Sequence, residues 1–284
     1  MLINVPIHGR PVSAIPRRLR MAVRAGVTAL ALLAGATMLL EARARVRTEP
    51  ARRDRAPRFK AVAFDYLVLF DPDSVVAEAE RVAPGQGRAL VTLWRTRQFE
   101  YAWLRSMSHR YVDFQTITED ALVYAAHALK VTLGPDEQRR LAEAYLHMRP
   151  WPDSAEALRT LRRSGVRVIA LTNFSPAMLR ANAEHAGMLD LFDALVSTDA
   201  NHTYKPDPRA YGLGLTELRL AKREVVFAAF GGWDAAGAAS FGYPTCWVNR
   251  LHQPSEELGV RPDRTVPDLD GLLDFVLGDR ATTP

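Results

Sequence analysis

Five short apolar runs, Lys60–Phe64, Val166–Leu171, Ala194–Ser197, Val225–Ala229 and Thr245–Val248, recur along this chain of 284 residues. Stretches with helical spacing of apolar residues separate the later ones. Trp151-Pro152-Asp153 opens a helix ending near Gly165, Pro176 to Ala186 a second stopped by Gly187, residues 207–221 a third and Asp234–Phe241 a fourth. Strands alternating with helices build βαβ units, and such units close into a parallel sheet. The long interval between the first and second runs has another character. Ser74 to Ala83, Gly87 to Ser108, Thr118 to Leu129 and Pro135 to His147 all carry apolar residues at helical spacing, with Thr118-Glu-Asp and Pro135-Asp-Glu as the expected helix starts. The fold class expected is therefore α/β: a Rossmann-like parallel sheet core, residues 60–73 and 150–284, with an all-helical cap insert at 74–149.

Charge is divided unevenly. Thirteen Lys and Arg stand against three Asp and Glu up to Lys60, so about +10 of charge lies there, and the overall +5 leaves about −5 for the rest. A nucleic-acid binder needs a basic face on its folded domain, and the acidic balance after Lys60 argues against one. The one cysteine, Cys246, sits in the apolar run Tyr243–Val248 and can make no intrachain disulfide. Ahead of the core, Arg17, Arg18, Arg20 and Arg24 precede an apolar stretch from Ala25 to Leu40, followed by Ala42-Arg43-Ala44. That layout is an export signal with a small-x-small cleavage site, or a short membrane anchor, over residues 1–44. The Arg- and Pro-rich residues 45–59 read as a linker. Export to the periplasm, or anchoring to the membrane, is the expected location; a cytoplasmic protein is the alternative.

In parallel sheets chemistry collects beyond the carboxyl ends of the strands. The first run ends in Asp65, the second in Thr172-Asn173, the third leads to Tyr204-Lys205-Pro206-Asp207, and the fourth to Gly231-Gly232-Trp233-Asp234. All four should meet at one edge. Asp65 is a candidate nucleophile, since a carboxylate can form an ester that divides one hard displacement into two easier ones. A lysine nearby would hold it ionised. Each residue also has a plainer reading: Thr172 or Asn173 as caps of the helix near Pro176, Lys205 as a solvated lysine, Asp234 as an N-cap.

With those residues in view, the chain from about Lys60 to about Phe275 resembles the haloacid dehalogenase superfamily, and within it the type II 2-haloacid dehalogenases. The cap carries Leu93–Arg105 (LWRTRQFEYAWLR) and Arg110-Tyr-Val-Asp-Phe114, which phosphatases of the superfamily do not share; the core carries Tyr204–Tyr211, Trp233–Ala238 and Phe241–Arg250. The resemblance implies that Asp65 attacks the halogen-bearing carbon, and that Arg95, Asn173, Phe114 and Trp233 cradle the departing halide. It implies that Thr172 and nearby backbone amides hold the substrate carboxylate. Lys205, supported by Tyr211, keeps Asp65 anionic, and Asp234 orients or deprotonates the hydrolytic water. The implied partner is a small 2-halocarboxylate, with a homodimer formed through the cap helices. No cofactor and no metal is implied. Phosphatases of the superfamily need a second Asp two positions after the first and a further acidic residue four before Asp234; Leu67 and Phe230 stand there.

The chain also departs from the family's pattern. Asp65-Tyr-Leu-Val-Leu-Phe-Asp71 lacks the usual Gly-Thr pair and is one residue shorter, and Ala229 and Gly231 stand where a Ser and an Asn are usual. Asp65, Arg95, Asn173, Lys205 and Asp234 remain. The expected activity is hydrolytic dehalogenation of short 2-haloacids; the alternatives are an impaired relative that binds small carboxylates and, third, a phosphatase.

Overall fold

The computed structural model describes residues 58–278. The expected export segment, residues 1–44, and nearly all of the 45–59 linker lie outside them. Among the described residues no helix is long and apolar enough to cross a membrane.

Six parallel strands form one sheet: β1 (Ala61–Phe64), β2 (Arg167–Thr172), β3 (Ala194–Ser197), β4 (Val225–Ala229), β5 (Thr245–Val248) and β6 (Arg264–Val266), in the order β3-β2-β1-β4-β5-β6. β1 lies between β2 and β4, with Phe64 level with Ala170 and Ala228. The order reverses at β1, which opens a crevice above the carboxyl ends of β1 and its neighbours. Two-residue alternation divides the strands' side chains between two apolar layers. Val62, Phe64, Val168, Ala170, Val226 and Ala228 pack on one face. Ala61, Ala63, Ile169, Leu171, Val225 and Phe227 pack on the other.

The nine helices described are α1 (Val76–Val82), α2 (Gly87–Met107), α3 (Phe114–Ala128), α4 (Pro135–Ala144), α5 (Ser154–Arg163), α6 (Pro176–His185), α7 (Pro208–Leu218), α8 (Gly232–Phe241) and α9 (Leu269–Leu277). The first four form the insert between β1 and β2. The chain leaves and re-enters the core at a narrow neck, where Phe70 and Pro150 form an antiparallel bridge. Trp151 N–H donates to the Leu69 carbonyl at 3.0 Å and Asp71 N–H to the Arg149 carbonyl at 2.9 Å. Inside the cap, α2 packs on α3 around fully buried Trp94, whose indole N–H donates to the Thr118 carbonyl.

Several boundaries differ from the sequence expectation, for local physical reasons. α3 begins at Phe114 and not at Thr118, because the Asp113 carboxylate accepts the Thr116 N–H at 2.8 Å and caps the helix a turn earlier. Thr118 is buried within α3, donating to the Phe114 carbonyl and accepting from Gln98. Asp234 lies inside the first turn of α8, whose N-cap is Gly231, and Ser175 rather than Thr172 or Asn173 caps α6. Phe59, taken for the end of a linker, is buried and stacks beside Phe275 of α9 at 5.5 Å. β6 and α9 have no counterpart in the expected elements. β6 is three residues at the sheet edge, two of them exposed, too short for a periodic signal. α9 did have one: Asp268 caps it through Gly271 N–H, and Leu269, Leu272, Leu273 and Val276 follow at helical spacing.

The turn after β1 is held from outside. Tyr66–Val68 form a single 3-10 turn. Its carbonyls are collected by the core: Trp151 indole N–H donates to Leu67 O at 3.1 Å, Arg250 Nε to Val68 O at 3.1 Å, and Ser154 Oγ to Leu69 O at 2.8 Å. Arg250 also makes a two-pronged pair with Asp153, at 2.8 and 3.1 Å, a geometry that fixes both planes. Replacing this arginine by methionine keeps the apolar stem and removes every donor. Arg250→Met is expected to lower stability by about 2–3 kcal/mol, read as a lower urea midpoint with an unchanged slope.

Candidate active site

Four strand ends and two cap helices converge above β1. Asp65 is the residue immediately after β1, with its N–H donating to the Ala228 carbonyl of β4 at 2.9 Å. Thr172 ends β2 and Asn173 follows it. Lys205 lies on the loop before α7, and Trp233 in the first turn of α8. From the cap come Arg95 and Phe99 of α2 and Phe114 at the start of α3. Together they line a cavity of about 140 Å³, completed by Leu67, Phe174, Phe230, Gly231 and Leu251. That is well below the range of about 300–1,000 Å³ usual for larger ligands. The space suits a molecule of a few carbons.

Lys205 is the centre of the charge arrangement. Its side chain is 1% exposed, and Nζ donates to Asp65 Oδ1 at 2.9 Å and to Asp234 Oδ2 at 2.6 Å. Burial opposes the ammonium charge, but Asp234 and Asp65 outweigh it and hold the lysine's pKa above its ordinary value. One cation serves two carboxylates, so the cluster keeps a net negative charge. Asp234 bears the consequence. Burial pushes its carboxyl up to about 6, against the pull of Lys205 and with the further push of Asp65. Asp65 is the more accessible of the two, at 13% against 1%. It is therefore the carboxylate that can meet a ligand.

The remaining predicted residues divide into those on the cavity wall and those behind it. Arg95, Phe114, Thr172, Asn173, Lys205 and Trp233 are on the wall with Asp65. Tyr211 is not. Expected to bind substrate and support Lys205, it is fully buried on the far side of Asp234 and donates its hydroxyl to Asp234 Oδ1 at 2.7 Å. It contacts the lysine only through that carboxylate, because α7 delivers it beneath α8. Gly237 permits the approach: a Cβ there would collide with the Tyr211 hydroxyl and lie 2.8 Å from Pro206.

Asn173 has a definite orientation. Its Oδ1 accepts the Lys205 backbone N–H at 2.9 Å, which only an oxygen can do, so Nδ2 takes the other position. That Nδ2 is buried and has no hydrogen-bond partner. Buried donors are rarely left unpaired. Beside it on the same wall is Arg95, one of whose N–H groups is engaged by Asp73 at 3.1 Å. Rings of Phe99, Phe114, Phe174, Phe230 and Trp233 enclose these donors. A cationic donor and an amide donor among ring edges form a dry site for an anion.

Five wall residues were not among the expected site residues. Phe99 had a signal: with Arg95 and Trp103 it forms an i, i+4, i+8 stripe on α2. Its ring and that of Trp103 each lie 5.3 Å from Trp233, and the Trp103 indole donates to the Lys205 carbonyl at 3.1 Å. Leu67, Phe174, Phe230 and Leu251 come from turns and a long loop, where no periodicity marks an inward side chain.

The buried carboxyl gives a pH signature. A carboxyl with a raised pKa lends stability that is present below its ordinary value of 3.8 and lost as pH rises through about 6. In Asp234→Asn that loss is expected to vanish from unfolding curves taken across the window. In Tyr211→Phe the carboxyl loses a bond that favours its charged form, and its titration, followed by carboxyl carbon resonances, should move to higher pH. A Tyr211→Phe titration at or below the wild-type midpoint would contradict the geometry.

Comparison with known proteins bears on the chain as a whole. A family model for haloacid dehalogenase-like hydrolases matches residues 22–242. An (S)-2-haloacid dehalogenase of Pseudomonas sp. (strain YL) is 42% identical over 217 residues, 76% of this chain and 94% of that protein. Haloacetate dehalogenase H-2 of Moraxella sp. (strain B) is 37% identical over 77% of this chain and 98% of its own. Among solved structures, the L-2-haloacid dehalogenase of Xanthobacter autotrophicus with chloropropionic acid covalently bound aligns with a TM-score of 0.74 and 34% identity, covering 78% of this chain and 99% of that one. Fold and sequence agree, and the chain belongs to the haloacid dehalogenase-like hydrolases.

Proposed function

We propose that this protein is a 2-haloacid dehalogenase acting on short (S)-2-halocarboxylates, with Asp65 as nucleophile. The observation that carries the reading is the unpaired, buried Asn173 Nδ2 beside Arg95 in a ring-lined cavity that also holds Asp65. A phosphoryl group would need a second acid and a cation's oxygen ligands close to Asp65. The wall offers Leu67 and Phe230 where the family's phosphatases carry those groups. A halide needs only donors and a dry enclosure, and both are here.

The chemistry follows from the positions. Lys205 keeps the Asp65 carboxylate ionised and holds one of its oxygens. The other attacks C2 of the substrate, the new C–O bond forms as the carbon–halogen bond breaks, and the halide leaves with the electron pair toward Arg95 and Asn173. Thr172, on the cavity wall, would orient the substrate carboxylate together with nearby backbone amides. Attack from the side opposite the leaving halide inverts the carbon. The relatives' printed names, (S)-2-haloacid dehalogenase among them, support the enantiomer.

The reading is tested by halide release from (S)- and (R)-2-chloropropionate. Release should occur with the (S) acid and stop in Asp65→Asn; normal release in that variant would end the proposal. Asn173→Ala, which keeps the nucleophile and removes one halide donor, should slow displacement by about 10²–10³-fold. We also read residues 1–44 as an export signal or anchor, to be tested by locating the protein in cell fractions.

A further inference from the structure

Resting on the dehalogenase reading, we infer that the protein carries out displacement faster than it can clear the resulting ester, and that it accumulates as the Asp65 alkyl ester during turnover. The displacement half of the site is furnished. The hydrolytic half is not.

Hydrolysis places different demands on the cavity. A water must sit within reach of the Asp65 carboxyl carbon, held by an acceptor that can also take its proton. The polar side chains on the wall besides Asp65 are Arg95, Thr172, Asn173 and Lys205. Arg95 and Lys205 only donate. Asn173 uses its one acceptor oxygen on Lys205 N–H and Thr198. Thr172 Oγ1 faces the Phe174 N–H and is no base. The turn between β4 and α8 offers Phe230, Gly231 and Trp233 to the cavity, none of which carries a basic side-chain acceptor.

Asp234 is the remaining carboxylate, and it is locked away. It is 1% exposed, is absent from the cavity wall, and has Oδ2 bound by Lys205 and Oδ1 by Tyr211. Lys205 spends two of its three N–H donors on the two carboxylates. Ester formation tightens the lock. Once Asp65 is esterified its charge is gone, and Lys205 is left with Asp234 as its only charged partner. The pair becomes one-to-one in a buried setting, where opposite charges hold most strongly. Asp234 becomes a weaker base at the step where a base is required.

The balance of the second step shows what is missing. Water oxygen bonds to the Asp65 carboxyl carbon, and the bond from that carbon to the Asp65 oxygen that had attacked C2 breaks. That oxygen leaves as the hydroxyl of the 2-hydroxy acid with one water proton, and the other proton is released as the carboxylate re-forms. General-base assistance is worth about 10²–10⁴-fold, so hydrolysis should trail displacement by about that factor.

The test is rapid mixing of the full-length protein with excess (S)-2-chloropropionate, following chloride and quenched intact mass together. The expected result is a burst of one chloride per protein, then a steady phase at least about 100-fold slower. Protein quenched in that phase should be heavier by the substrate less its halide, with the gain on the peptide containing Asp65. Hydroxylamine attacks the ester carbonyl, releases the 2-hydroxy acid and leaves Asp65 as its hydroxamate, so it should inactivate the protein only when substrate is present. Linear chloride release from the first turnover without an adduct, or activity that survives hydroxylamine in the presence of substrate, would overturn this inference and leave the dehalogenase reading standing. Neither chloride nor adduct would overturn both.

Discussion

The structure depends on one buried ammonium shared by two carboxylates. Lys205 reaches Asp65 from the loop before α7 and Asp234 from beneath α8, so three separate chain segments are tied at a single atom. Such a cluster is not a simple source of stability, because stripping water from three charges costs more than the attractions return unless each partner is fully bonded. Here Lys205 bonds both carboxylates, and Tyr211 supplies the partner that the other oxygen of Asp234 needs. Asp65 is left with the most exposure of the three. The packing thereby directs reactivity to one carboxylate and withholds it from the other.

Around that tie, core and cap contribute different kinds of group. The core delivers the charged cluster at the ends of strands whose register is fixed by flat, fully buried residues. The cap delivers Arg95 and the rings of Phe99 and Phe114. Its own interior, built on Trp94, Thr118 and Gln98, sets the angle between α2 and α3 and hence where the rings point. The layers are joined at the site itself: the Trp103 indole bonds to the Lys205 carbonyl, and Tyr111 bonds to Asp199. Anion site and nucleophile thus belong to different layers and come together only when the layers meet.

The strands and their terminal polar residues were readable in the sequence because both follow from short-range rules. Apolar runs with β spacing mark a buried sheet, and a polar residue at the end of one must face the sheet's edge. Asp65, Asn173, Lys205 and Trp233 were placed on that ground, and the structure brings them to one cavity. Tyr211 was misplaced because its side of α7 is decided by packing against Gly237, a contact between segments that no local pattern records. Asp234 looked like a cap because sequence spacing does not show that Gly231 already fills that position. The turn after Asp65 is held by Trp151, Ser154 and Arg250, which are 84 to 182 residues distant along the chain from the carbonyls they satisfy. Support of that kind is visible only after folding.

The neck at Phe70 and Pro150 has a consequence for how such a protein can diverge. The two chain crossings there are fixed by their own backbone bonds and by the Arg149–Asp71 ion pair, none of which involves the cap interior. Residues between the crossings can lengthen, shorten or be exchanged without shifting the strand that carries Asp65. The nucleophile is inherited with the sheet, whereas the chemistry offered to its target is inherited with the insert. A lineage can therefore revise what it recognises while leaving its reactive carboxylate in place.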